Sequence, residues 1–253
     1  VVDNNSQDGT EVLMRERLSW VNYIRHRENY GTARGFNRGI AESGDAAYTF
    51  LMNDDVELLP QTFHDMMETL KQYHRARGIA ANLMYPDGSP QRVKLGVVGL
   101  SRLKNSRIRS ISFPGTTACL YHTEVFHRVG LFDEFYFFYN EDLDFAVRAK
   151  RAGIQFICNP NIKVIHHGYM GRLKGERFVK PHAFSADYYF YRKNYGWLAA
   201  SLYLCAARLR LKRKKRAYDR QKDKKQLQLL EMGIQNLEET VRRFRTSFKG
   251  EKS

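Results

Sequence analysis

Ala47-Tyr48-Thr49-Phe50-Leu51-Met52-Asn53-Asp54-Asp55 decides the fold. A short, mostly apolar run leads straight into an amide and two carboxylates, and Pro60 follows. Short apolar stretches bounded by turn residues have the length of a buried strand. Proline suits the first turn of a helix, so a helix is expected from Pro60 to about Tyr73. The same alternation runs to either side. Val1-Val2 reads as a strand end, and Ser6-Gln7-Asp8-Gly9-Thr10 as a turn and helix start with Ser6 or Asp8 as cap. Val21–Arg25 and Gly78–Leu83 read as strands and Thr32–Ser43 as a helix, which Gly35 and Gly39 weaken on propensity alone. Strands alternating with helices predict an α/β fold, a mostly parallel central sheet with helices on both faces. Ligands gather at the carboxyl ends of strands in such sheets, where Asp3 and Asn53–Asp55 stand.

A second acidic cluster lies downstream in Asn140-Glu141-Asp142-Leu143-Asp144, and His166-His167 follows. Glu141–Ala152 reads as a helix capped by Asn140 and ended by Gly153. Before it come a turn at Tyr85–Pro90, a basic loop at 102–110, a strand within Ser112–Tyr121, and a short helix from the cap Thr123 to Val129, closed by Gly130. After it, strands are expected at Gln155–Ile157 and Lys163–His166, separated by Asn159-Pro160. Two carboxylate sites and a late histidine fit a metal-and-base centre acting on a phosphate-linked substrate. Acids in a first helical turn and Arg148, Lys150 and Arg151 in the last also complement the helix dipole without any chemistry. A strand puts His166 and His167 on opposite faces, so one of the two, not both, points at a site.

The chain has 253 residues, 43% of them hydrophobic and 13% aromatic, enough for a proper core and against wholesale disorder. It opens on Val1-Val2-Asp3 with no initiator Met or leader, which reads as a cut inside a domain. No apolar run reaches the ~20 residues that span a bilayer. Cys119, Cys158 and Cys205 are scattered, with no spacing for zinc or a disulfide framework, and fit a reducing compartment.

The blocks Val1–Thr10, Asn29–Ile40, Leu51–Pro60, Gly115–Leu120, Gly130–Glu134 and Asn140–His167 resemble the family 2 glycosyltransferases with the GT-A fold, most closely the rhamnosyltransferase-like branch. The order and spacing of the blocks carry the resemblance, which covers residues 1–195. It implies one further strand and its loop before Val1. It also implies a metal-dependent hexosyltransferase that inverts the anomeric centre. Such an enzyme moves a sugar from a nucleoside diphosphate-sugar, UDP- or dTDP-type, to a hydroxyl of a cell-surface glycan or lipid-linked acceptor.

On that resemblance Asp55 matches the last acid of the family's DxD motif and Asn53 stands where the first acid usually is, one charge fewer for a cation. Asp54 is the middle residue, toward the ribose or a metal-bound water. A departing diphosphate needs a divalent cation such as Mn²⁺ or Mg²⁺, or fixed donors, and hard cations prefer oxygen ligands. His166 matches a metal-ligand position, with His167 the alternative. Asp142 is implied as general base, with Glu141 beside it as a like charge that raises its pKa. Asp3 reads the base or ribose, Arg34 approaches the phosphates or is simply a solvated cation, and Asn37 ties its loop. The aromatic run Phe135–Tyr139 either walls a sugar site or packs a core.

The basic charge is concentrated at the end. Of the net +15, residues 208–253 hold 16 Lys/Arg against 6 Asp/Glu. Trp197–Leu211 is apolar and aromatic, and Arg208–Lys225 follows with 11 basic residues and 2 acidic. Residues 196–253 therefore read as a helical basic extension, with Leu227, Leu229, Leu230, Ile234, Leu237 and Val241 as a helical stripe. An interfacial helix on an anionic membrane surface through 197–225 is expected, at the inner face of the cell membrane on its cytoplasmic side. Nucleic-acid binding by the basic stripe and a non-catalytic GT-A remnant are the rival readings, though no nucleic acid is expected.

Overall fold

A computed structural model describes residues 1–91, 107–168 and 181–250. The chain packs as two compact units, one of Val1–Phe135 and Glu141–Lys174, the other of Tyr136–Asn140 and Gly175–Ser253.

The first unit alternates as its sequence predicts. Its strands are β1 (Val2–Asp3), β2 (Ile24–Arg25), β3 (Tyr48–Met52), β4 (Val56–Leu58), β5 (Ala76–Met84), β6 (Arg109–Ile111), β7 (Ala118–His122) and β8 (Gln155–His166). Its helices are α1 (Thr10–Arg17), α2 (Thr32–Glu42), α3 (Thr62–Gln72), α4 (Glu124–Val129) and α5 (Glu141–Arg151). β1 and β2 form a parallel pair, and the remaining strands form one six-stranded sheet in the order β3-β7-β5-β8-β4, with β6 also on β8. β5 and β8 pair in parallel, and β3 runs in their direction with the antiparallel β7 between. The parallel sense thus holds for β3, β5, β8 and the β1–β2 pair. The ladders are mixed, because β7 inserts against the grain and the short β4 and β6 flank β8 antiparallel.

Successive residues of a strand face opposite sides, and β7 shows what that does here. Cys119 and Tyr121 join the core under α2, α4 and α5, with Ala33, Ile40, Val125, Phe126, Phe145 and Ala149. Ala118 and Leu120 join the opposite core, under Met66 and Leu70 of α3. Helices therefore cover both faces. α2 buries Ala33, Asn37 and Ile40, one helical face. Gly35 eases its approach: a Cβ there would meet the Asn4 side chain at 3.2 Å, a tight contact.

Some boundaries differ from expectation. α3 starts at Thr62, not Pro60, because Leu59 and Thr62 close a turn first: the Leu59 amide donates to Thr62 Oγ1 and the Thr62 amide to Leu59 O. β8 runs unbroken through Asn159-Pro160, since an irregularity opposite Ala80–Asn82 absorbs them and Asn82 Nδ2 donates to Pro160 O at 2.9 Å. Of the loop expected at 102–110, residues 102–106 lie outside the described residues, and Arg109-Ser110 belong to β6. α1 takes Gly9 as its N-cap, with Asp8 accepting from the Thr10 amide.

The second unit is a helical hairpin of α6 (Ala183–Gln221) and α7 (Lys224–Gly250). α6 breaks at Gly196 (φ 86°), and Lys222 (φ 53°) turns the chain into α7. Its core joins Tyr188, Ala200, Leu204, Ala207 and Leu211 to Leu230, Leu237 and Val241. The apolar stripe of α7 is thus covered within the chain. Among the described residues, no helix is long and apolar enough to cross a membrane.

Candidate active site

The loop Asn53–Asp55 leaves β3 and enters β4, whose three residues pair with the last three of β8, Val56 opposite His166. The ladder fixes both ends of one contact: Asp55 Oδ2 stands 3.3 Å from His166 Nε2. The His167 amide donates to Asp55 O at 2.9 Å, locking the loop to the strand end. Asp55 Oδ1 is buried without a hydrogen-bond partner. Asp54 is exposed, and Asn53 is held by its backbone amide to Thr117 O at 3.0 Å. His167 turns away, its Nε2 3.5 Å from the exposed Glu57. Of the two histidines, His166 faces Asp55.

Gln91, which the sequence offers no motif to find, completes this corner. It is buried, its Nε2 donates to His166 O at 2.6 Å, and its Oε1 lies 2.8 Å from His166 Nδ1. Only its place after the turn Tyr85–Pro90 hints at it, because that turn returns the chain beside β5: the Gln91 amide donates to Leu83 O.

The second acidic cluster begins α5. Glu141 is buried and its Oε2 has no hydrogen-bond partner. Burial, with the charge of Asp142 beside it, pushes its carboxyl up to about 8. Asp142 is half-buried, and its Oδ1 accepts from the Leu143 amide at 2.7 Å. Asp144 is fully buried and pairs with Arg148 at 2.9 Å, whose guanidinium also donates to Val129 O and Leu131 O. Asp144 therefore ties α5 to the chain after α4. The Asn140 side-chain amide donates to Asp187 Oδ1 at 2.8 Å. Burial raises the Tyr121 hydroxyl well above its usual range, with Cys119 and, least, Asp142 adding to it. Tyr121 belongs to β7 and donates to Gly115 O, and Thr117 in that same loop holds Asn53.

Asp3 lies elsewhere, buried at the end of β1. Burial pushes its carboxyl up, but hydrogen bonds from the Tyr23 hydroxyl (2.5 Å) and the Ser6 amide (2.8 Å), with Arg25 nearby, outweigh it and hold it below the usual carboxylate range. Arg34 is half-exposed, paired with Glu134 at 2.9 Å and stacked over Tyr30. Asn37 fixes that corner, donating to Phe132 O and Glu134 Oε1. The aromatic run divides: Tyr136 is buried and Phe137 and Phe138 are exposed.

Residues 1–130 match the model of glycosyl transferase family 2. The chain belongs to that family. A Mycobacterium tuberculosis N-acetylglucosaminyl-diphospho-decaprenol L-rhamnosyltransferase is 26% identical, over 66% of this chain and 65% of that protein. This family 2 chain therefore spans just under two thirds of that rhamnosyltransferase's length. Its fold is similar to that of S. aureus TarS in complex with UDP-GlcNAc (TM-score 0.55, 12% identity, 75% of this chain and 55% of that one). It is similar also to GalNAc-T7 with UDP, GalNAc and Mn²⁺ (TM-score 0.52, 10% identity, 65% of this chain and 36% of that one). The fold is thus the GT-A arrangement that the sequence blocks predict.

A divalent cation is the group such a fold implies. Among the described residues no cluster of three or more His, Cys, Asp or Glu surrounds a common point. The donors present are Asp55 and His166, an oxygen and a nitrogen facing each other with a further Asp55 oxygen unfilled. That pair fits a cation whose remaining ligands come from water and an anionic substrate.

Proposed function

We propose that this chain is an inverting glycosyltransferase. It moves a sugar from a nucleoside diphosphate donor, UDP- or dTDP-type, to a hydroxyl of a cell-surface glycan or lipid-linked acceptor. What supports the reading, within a family 2 chain, is the Asp55–His166 contact at the mouth of β3 with an unfilled carboxylate oxygen beside it. The mycobacterial relative, named for transfer to a diphospho-decaprenol acceptor, points to the lipid-linked acceptor class.

In this reading Asp55 and His166 hold Mn²⁺ or Mg²⁺. Such a cation, when bound there, would supply positive charge against the departing diphosphate. Asp54, exposed beside them, meets the donor ribose, and Asn53 orients the loop through Thr117. Asp3 binds the nucleotide through its buried carboxylate, and Arg34 leaves Glu134 to approach a phosphate. Asp142 accepts the proton of the acceptor hydroxyl as the new glycosidic bond forms. Glu141 keeps its own proton near neutral pH, so it adds no second charge beside Asp142. The decisive assay adds acceptor to protein and nucleotide sugar and follows nucleoside diphosphate. Release that depends on acceptor is expected; release of free sugar to water without acceptor would make the protein a hydrolase instead.

The extension from residue 196 is the membrane-facing part in this reading. The outward side of α6 carries exposed Trp197, Leu198, Leu202 and Leu209, and then exposed Lys212, Arg213 and Arg216. An apolar stripe continuing into a basic one matches an interface with anionic lipid, each cation contributing ~1 kcal/mol near the surface. The triple substitution L198S/L202S/L209S lies on this exposed side and is expected to reduce sedimentation with anionic vesicles. Equal sedimentation of parent and variant, or of parent with neutral and anionic vesicles, would remove the membrane from the proposal.

A further inference from the structure

We infer that Gln91 is a positioning residue that sets the tautomer of His166, keeping the Nε2 lone pair turned toward Asp55 and available to a divalent cation. The inference rests on the cation-binding reading of Asp55 and His166.

The orientation of the Gln91 amide is settled by its neighbours. Its nitrogen lies 2.6 Å from His166 O and 3.3 Å from Met84 O. Both are carbonyl acceptors, so only the NH₂ end of the amide can face them. The carbonyl end, Oε1, is then the atom 2.8 Å from His166 Nδ1. Oε1 cannot donate, so Nδ1 must carry the hydrogen. In a neutral imidazole the other nitrogen then has a bare lone pair. That nitrogen, Nε2, stands 3.3 Å from a carboxylate oxygen of Asp55, also an acceptor. Two acceptors at that distance repel unless positive charge lies between them. The unfilled Asp55 Oδ1 adds a third acceptor to the same corner. Metal-bound histidines commonly have this arrangement, one ring nitrogen free and the other donating to a fixed acceptor.

The chain holds Gln91 firmly for this task. In the turn before it, Asp87 Oδ1 accepts from the Ser89 amide (2.8 Å) and hydroxyl (2.6 Å), and the Tyr85 amide donates to Ser89 O (2.8 Å). Met84 bridges to Pro90, and the Gln91 amide donates to Leu83 O at 2.9 Å. Met84 pairs with Ile165, the neighbour of His166, and the Gln91 side chain reaches His166 from this bridge. Gln91 thus grips both the backbone oxygen and the ring of one residue.

The test uses the 253-residue chain with ¹⁵N-labelled histidine and reads the long-range ring couplings of His166, then Mn²⁺ binding by calorimetry. The parent is expected to show the Nδ1–H tautomer. Gln91→Leu should lose that signature and bind Mn²⁺ about 10–100-fold more weakly. Were Gln91→Leu to retain the Nδ1–H pattern, or to lower only the melting temperature, Gln91 would be a packing residue and the inference would fall. Equal Mn²⁺ binding by the parent and His166→Ala would instead end the cation reading. The ring couplings would then still decide whether Gln91 places the His166 proton.

Discussion

The two acidic clusters of the first unit are built from the same residue types and treated in opposite ways. At the end of β3, Asp54 is exposed, and Asp55 turns one oxygen to a histidine while the other has no hydrogen-bond partner among the described residues. At the start of α5, Asp144 is fully buried against Arg148 and Glu141 is buried with its carboxyl raised to about 8. A carboxylate left open and anionic can hold a cation. One that is buried must find a fixed partner or keep its proton. Between these extremes stands Asp142, half-buried, with its Oδ1 accepting from the next amide of its own helix. In the proposed reading, burial, more than residue type, sorts the acids into binder, strut and base.

The largest effect should come from removing the base. Asp142→Asn keeps an acceptor for the Leu143 amide but cannot take a proton, so transfer should fall about 10²–10⁴-fold while donor binding stays close to that of the parent. Parent-like initial rates would exclude Asp142 from proton transfer. The strut is next. Asp144→Ala strands the Arg148 guanidinium, and loss of a buried pair costs ~3–5 kcal/mol. Arg148 is partly solvated, so the lower end is expected, read as a shift in denaturant midpoint. A midpoint unchanged by Asp144→Ala would mean that α5 is held by its apolar face alone.

Those two residues also show what a sequence can and cannot disclose. α2, α5 and the β3 strand follow from periodicity and local breakers, and they are found where read. The spacing of the clusters and of His166 was equally plain. The three-residue β4 was not, because nothing in Val56-Glu57-Leu58 calls for a strand until Val164–His166 lies beside it. Nor was the unbroken β8, since Pro160 normally ends a strand and here sits in a bulge. The Asn140 side-chain amide reaches Asp187, 47 residues on, a contact its place beside α5 does not announce. Gln91 has no signature at all. In each case the deciding contact is distant along the chain, and the local signal is either silent or points to a nearer partner.

The open cluster gives the next effect. Asp55→Ala removes a charged oxygen and the partner of His166, and it should weaken Mn²⁺ and nucleotide-sugar binding together, by about 10–100-fold. Titration calorimetry on the two ligands separately sharpens the contrast. Loss of both marks Asp55 as the link between cation and donor. Loss of neither would leave the pair as an ordinary ion contact between β4 and β8.

The smallest effect is on stability, and its sign distinguishes the closed cluster from the open one. Glu141 has an ordinary pKa near 4.5 when unfolded and about 8 when folded. Between these values the folded chain binds more protons than the unfolded chain, so its stability falls as pH rises. The contribution is complete below about 4.5 and is lost as pH rises through about 8. Glu141→Gln is uncharged in both states and should flatten that slope, leaving the variant more stable than the parent at pH 8 and about equal at pH 5. Melting curves across this range read it directly. Matching slopes for parent and variant would mean that Glu141 is ionised in the fold, and a second charge would then stand beside Asp142 where the proposed chemistry has none.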